Sequence, residues 1–155
     1  MNDKIKLLIK IARIYNENNI TWNLGAACML YLRGIVKKFD DIDLMVSLKD
    51  VNKVEEIMSK YCKKSIEETT SQYKTKVFLE YIIDDIDVDV MAGFTIVKNG
   101  KDYYFPLEPS ENSDFIVLDN TEIYLEKVEK WLEYYKLMGR RDKISIIENH
   151  IVRQG

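Results

Sequence analysis

A single histidine, His150, stands near the end of this chain, and that scarcity removes several kinds of chemistry at once. No Cys/His cluster is available to build a zinc site, and a serine nucleophile would lack a base. The two cysteines, Cys28 and Cys62, are far apart and belong to no paired motif. They are expected to be reduced and structural, as thiols of the cytosol are. With only 2 prolines and 6 glycines there is no Pro/Gly-rich linker, and no repeat or low-complexity tract divides the chain. A long apolar run is also missing. The opening "MNDKIKLLIKIARIYNENN" threads lysines through its apolar residues, so neither a signal peptide nor a membrane span is expected, and the expected location is cytoplasmic. Finally there is no basic excess. Lys and Arg number 23 against 26 Asp and Glu, a net charge of -3, which disfavours a surface devoted to long nucleic acid. A nucleotide is still allowed, since metal ions and a few lysines can meet its phosphates.

What remains is an ordinary globular balance: 155 residues, 46% hydrophobic and 32% charged, enough for one domain over 1–155 with one sizeable core. Apolar spacing predicts a helix over 3–18 that buries Ile5, Leu8, Ala12 and Tyr15. A short strand at 20–24 is followed by a buried helix at 26–33, stopped by Gly34. Residues 42–47 read as a strand, after which Asp50 is placed to cap a helix with Val51, Val54, Ile57, Met58 and Tyr61 inward. Strands at 75–83 and 86–92 would turn at Asp84-Asp85, and Asn99-Gly100 predicts a second hairpin. A last strand covers 114–118. The stretch from Asp119 to Gly139 reads as one helix, with Asp119 and Glu122 as a capping box and Tyr124, Leu125, Val128, Trp131, Leu132, Tyr135 and Met138 as its stripe. A final helix over 141–153 would turn Ile144, Ile147 and Ile151 inward. This order predicts an α/β (α+β) fold: a mixed β-sheet flanked by helices, with a core over about 20–118 and C-terminal helices over about 119–153.

Two acidic motifs break the apolar strands, "FDDIDLMVS" at 39–47 and "IIDDIDVDVMAGF" at 82–94. Residues two apart on a strand share a face, so Asp41 and Asp43 point one way, and Asp87 and Asp89 do likewise. Carboxylates side by side repel and lose hydration, a cost that a divalent cation removes. Mg²⁺ takes a couple of carboxylates together with waters and phosphate oxygens, which suits the spacing. Upstream, "NLGAACMLYLRG" reads as strand, glycine turn and helix. Gly25 would let the backbone approach a phosphate, and the free N–H groups of the next helix favour an anion.

Strand, glycine turn, helix, the Asp41/Asp43 pair and a later Asp on a neighbouring strand together resemble the nucleotidyltransferase superfamily of DNA polymerase beta. The chain looks most like its small stand-alone bacterial members, among them aminoglycoside nucleotidyltransferases and the nucleotidyltransferase-type toxins of abortive-infection systems. The motifs cover about 20–94, and more loosely "YYKLMGRRDKISII" at 134–147. The resemblance implies metal-dependent transfer of a nucleoside monophosphate from a nucleoside triphosphate to a hydroxyl of a small molecule, a protein or an RNA end. Asp41, Asp43 and Asp89 would be catalytic and hold two Mg²⁺ ions (or Mn²⁺), with Asp87 in reserve for Asp89. The triphosphate would rest on the backbone at Gly25, Ala26 and Ala27. Lys37 and Lys38, or Arg140, Arg141 and Lys143, would meet its outer charge, and a Gly25→Val change is expected to weaken its binding more than it lowers stability. Ala26 departs from the family, which carries Gly or Ser there. The alternatives are an inactive binding or scaffold protein on this fold, serving a protein partner or a homodimer, and a sugar-nucleotide enzyme, whose sheet domain would be longer than this chain.

Overall fold

The computed structural model describes residues 2–63, 73–108 and 114–154. Helix α1 (Asp3–Glu17) starts where the Asn2 side chain accepts from the Ile5 N–H. It is followed by β1 (Trp22–Gly25), α2 (Ala26–Leu32), β2 (Ile42–Val46) and α3 (Val51–Met58). Then come β3 (Cys62–Lys63), β4 (Val77–Ile83), β5 (Ile86–Ala92), β6 (Phe94–Lys98), β7 (Lys101–Phe105), β8 (Asp114–Leu118) and β9 (Thr121–Leu125). Helices α4 (Val128–Met138) and α5 (Arg141–Gln154) complete the chain, with Gly139 left-handed between them. A seven-stranded sheet runs in the order β3-β4-β5-β2-β1-β9-β8, and β6 and β7 form a separate hairpin. The sheet is mixed, because β2–β5 and β1–β9 pair parallel while the other neighbours pair antiparallel.

Alternation along these strands sorts the side chains into two layers. On one face Leu24, Ile42, Leu44, Val88 and Val90 are shut off from solvent, and Tyr15 of α1 meets Trp22 edge-on at 5.9 Å between ring centroids. The opposite face carries Gly25, Asp43 and Asp89 and is covered by α4, whose Trp131 lies directly on Gly25. The acidic motifs therefore sit on the α4 side because their aliphatic partners are needed in the α1 side of the core.

Two hairpins turn where the sequence places them, at Asp84-Asp85 and Asn99-Gly100, each with both residues at positive φ. A third was not expected. Asp119 (φ 48) and Asn120 (φ 58) form the same kind of turn, and 121–125 is strand β9 rather than the first turns of a helix. Asp119 and Glu122 make no capping box. Instead Arg13 donates to the Asp119 carboxylate at 2.9 Å and to Thr121 Oγ1 at 2.9 Å, tying the turn to α1. Helical and strand spacing both fit "TEIYLEKV", and pairing with β1 and β8 decides for the strand.

Smaller differences have local causes. The Asp50 carboxylate does not cap α3, because it accepts from Ser47 Oγ at 2.8 Å and the Thr21 N–H at 2.9 Å. Tyr61 lies beyond the end of α3, Cys62 is in an exposed edge strand, and Ile151 is exposed while Ile147 is fully buried.

Candidate active site

Strand register assembles the site. Gly25 stands opposite Asp43, Asp43 beside Asp89, and Asp89 opposite Glu80, so one row of residues crosses β1, β2, β5 and β4 on the same face. Asp43, Asp89, Glu80 and Ala26 line a cavity of about 710 Å³. Its remaining walls are aromatic, apolar and cationic, with Tyr73, Phe78, Phe94, Trp131, Tyr135 and Met138 joined by Lys76 and Arg140. Three rings run as a stack, Tyr73 on Phe94 at 6.3 Å and Phe94 on Trp131 at 6.0 Å between centroids.

The electrostatics of the row are set by burial and by carboxylates held close together. The Asp43 carboxyl is held well above its ordinary range, first by loss of hydration, then by the charges of Asp89 and Asp41, and by a hydrogen bond with the Asp89 side chain. Burial and the neighbouring carboxylates therefore both favour the protonated form of Asp43. The same carboxylate reaches Cys28 on α2 and Tyr135 on α4, both pushed well up, chiefly by burial and secondly by Asp43. Arg140 opposes this at Tyr135, with its guanidinium 5.9 Å from the ring centroid.

The expected residues are distributed as follows. Asp43 and Asp89 are side by side in the cavity. Asp41 precedes β2 and is felt by Asp43, but it does not line the cavity, and Asp87 does not line it either. Among the described residues no three carboxylate, imidazole or thiol groups are gathered closely enough to enclose a cation. Gly25 ends β1 and Ala26 opens α2. Of the proposed cations Arg140 lines the cavity and Arg141 and Lys143 do not, while Lys37 and Lys38 line a separate recess with Lys4 and Phe39.

Packing gives a reason for glycine at position 25 that the spacing did not suggest. Its backbone is extended (φ -124), which any residue adopts, but a Cβ there would lie 2.4 Å from Trp131 Cζ2. Glycine is present because an indole needs the space. A Gly25→Val change would collide with Trp131 and disturb the fold, so it cannot isolate an effect on phosphate. The left-handed residue of the bend is Ala26 (φ 55).

Glu80, Lys76 and the aromatic wall were not foreseen. Glu80 left one signal, a lone acid inside the apolar strand "VFLEYII". The wall left none, because Tyr73, Phe94 and Trp131 come from three distant segments.

No family model matches the chain, and no curated protein matches it. Solved structures do. A protein of Thermotoga maritima, provisionally named a nucleotidyltransferase, superposes with a TM-score of 0.74 at 20% identity, covering 97% of this chain and 94% of that one. ANT(2″)-Ia in complex with adenylyl-2″-tobramycin gives 0.61 at 14%, covering 97% and 90%. The lincosamide antibiotic adenylyltransferase LnuA with lincomycin bound gives 0.62 at 13%, covering 92% and 95%. At these identities the likeness establishes the architecture: the chain has the nucleotidyltransferase fold.

Proposed function

We propose that this nucleotidyltransferase-fold chain transfers a nucleoside monophosphate from a nucleoside triphosphate to a hydroxyl of an acceptor. The observation that carries this is the Asp43–Asp89 pair, placed by strand register in a cavity that also holds the Ala26 bend and Arg140. Two adjacent carboxylates, one of them held in its protonated range by burial and by its neighbour, are a donor set for a hard divalent cation, which would favour their ionised forms and satisfy its remaining coordination with water and phosphate oxygens. Asp43 and Asp89 would hold it, with Asp41 contributing charge from the end of the loop before β2. Bound there, Mg²⁺ would neutralise the triphosphate and lower the pKa of the acceptor hydroxyl.

The chain's own groups do the rest. The backbone at Gly25, Ala26 and Ala27 seats the triphosphate, and Arg140 meets its outer charge. Asp89 takes the hydroxyl proton as the acceptor oxygen forms its bond to the α-phosphorus. The bond from that phosphorus to the bridging oxygen breaks, and pyrophosphate leaves with the electron pair. The aromatic wall offers flat apolar faces on which a nucleobase would stack.

Two observations favour a second reading, an inactive member that only binds: Ala26 in place of Gly or Ser, and the absence of a closed three-carboxylate cluster among the described residues. Melting curves against ATP, GTP, CTP and UTP, with and without Mg²⁺, test both. A rise in melting temperature that requires metal and grows with nucleotide concentration supports a live site. Its absence for all four nucleotides would leave a scaffold. Nucleotide binding without pyrophosphate release would support the binding module only once acceptors have been screened.

A further inference from the structure

Trp131 serves the cavity in two ways. It forms part of the wall, and its indole fills the volume that a side chain at Gly25 would need, with Cζ2, Cε2 and Nε1 at 2.4, 2.7 and 2.8 Å from the place of a Cβ. The bend beneath it is not at rest. Ala26 is left-handed, a conformation that a Cβ makes unfavourable and that lasts only where the surroundings enforce it. Strand pairing enforces one side, through Gly25 opposite Asp43 and the Glu126 N–H donated to the Leu24 carbonyl at 3.0 Å. The indole enforces the other.

The indole is itself held. Trp131 Nε1–H donates to Glu126 Oε2 at 3.1 Å, and the Tyr134 hydroxyl donates to Glu126 Oε1 at 2.6 Å. Glu126 thus fixes two aromatic residues of α4 from the link after β9. It does not line the carboxylate cavity; it lines a smaller one of about 180 Å³, with Met45 and Tyr134.

We propose that Glu126 is a positioning residue for the nucleotide: by holding the Trp131 indole flat against Gly25 it keeps the Gly25–Ala26 bend in its left-handed, phosphate-receiving form. This rests on the reading of that bend as the triphosphate seat. Loss of the acceptor oxygen frees the indole to turn, and the bend relaxes toward ordinary backbone angles. A glutamine at 126 retains an acceptor for Nε1–H and a polar group for Tyr134, so it keeps the arrangement.

The test uses the full chain in two measurements. The first is the amide resonances of Gly25, Ala26 and Ala27 in the metal-free protein. Glu126→Ala should shift them, and Glu126→Gln should not. Trp131→Phe, which removes the N–H together with the part of the indole that lies on Gly25, should shift them too and serves if Glu126→Ala does not fold. Unmoved amides in the folded variants overturn the proposal, whatever the nucleotide does. The second is the calorimetric affinity for ATP with Mg²⁺, well below every melting temperature. Glu126→Ala should weaken it about tenfold, Glu126→Gln should stay near the parent, and Glu126→Ala should add nothing in a Trp131→Phe background. Shifted amides with unchanged ATP affinity, or effects that simply add, overturn it as well. A parent that binds no ATP defeats the nucleotidyltransferase reading and with it the nucleotide half of this proposal, while the amide shifts still decide whether Glu126 sets the bend.

Discussion

At the scale of single residues, the candidate site stores two costs that can be measured. Ala26 holds a left-handed angle that glycine adopts freely, so Ala26→Gly should raise metal-free stability by about 0.5–1 kcal/mol, the left-handed penalty less the entropy of an added glycine. A lower denaturant midpoint in that variant would show that the bend carries no strain. Asp43 is the second cost. Its pKa in the folded state lies above its ordinary 3.8, so the folded chain binds the extra proton. By linkage, stability is greatest below that value and declines as pH rises toward the folded pKa. Asp114 works the other way, lowered by hydrogen bonds from Arg33 and Lys127, and it loses its contribution as pH falls. The informative quantity is therefore the parent's stability minus that of Asp43→Asn, across pH. The difference should turn against the parent as pH rises above about 4, and the variant should lose the Mg²⁺-dependent response to nucleotide. If Asp43→Asn destabilises the metal-free chain at neutral pH, the aspartate is structural.

At the scale of elements, strand β9 is the informative one. It places Leu125 beside Leu24, makes β1 an interior strand of the sheet and delivers Glu126 to its place behind Trp131. The turn that begins it has Asn120 at φ 58. Asn120→Ala should therefore lower stability by about 1 kcal/mol, since alanine tolerates that angle poorly. In the helix that apolar spacing suggests, the same change would raise stability, because alanine is the better helix former. The sign of the shift in a denaturant titration distinguishes the two.

At the scale of the whole molecule, the two thiols report on different events. Cys62 is exposed in an edge strand, and Cys28 is buried in α2 beside Asp43 with its thiol pushed up by burial. In the native chain a thiol reagent should modify Cys62 promptly, and Cys28 only as fast as the molecule opens. Mg²⁺ and nucleotide should slow the second modification and not the first. Equal protection of both thiols, or of neither, would separate ligand binding from the opening of α2. The described helices include none long and apolar enough to cross a membrane.

The sequence by itself determined the pieces whose signals are local. Alternation of acid and aliphatic residues put Asp43 and Asp89 on one face of their strands, and turn chemistry fixed two hairpins. Apolar spacing gave α1, and it gave the whole of α4 as the second half of a longer expected helix. The family resemblance located the bend at Gly25 and the fold that the solved structures share. Tertiary structure decided whatever depended on pairing between distant segments. Which aspartate meets which is a matter of register between β2 and β5, and no local spacing encodes it. Glu80 enters the row because β4 lies against β5. "TEIYL" becomes a strand because β1 and β8 offer it hydrogen bonds, where its own spacing permits a helix. Gly25 is glycine because a tryptophan from a helix far along the chain needs the room, and packing of that kind is invisible until the chain has folded.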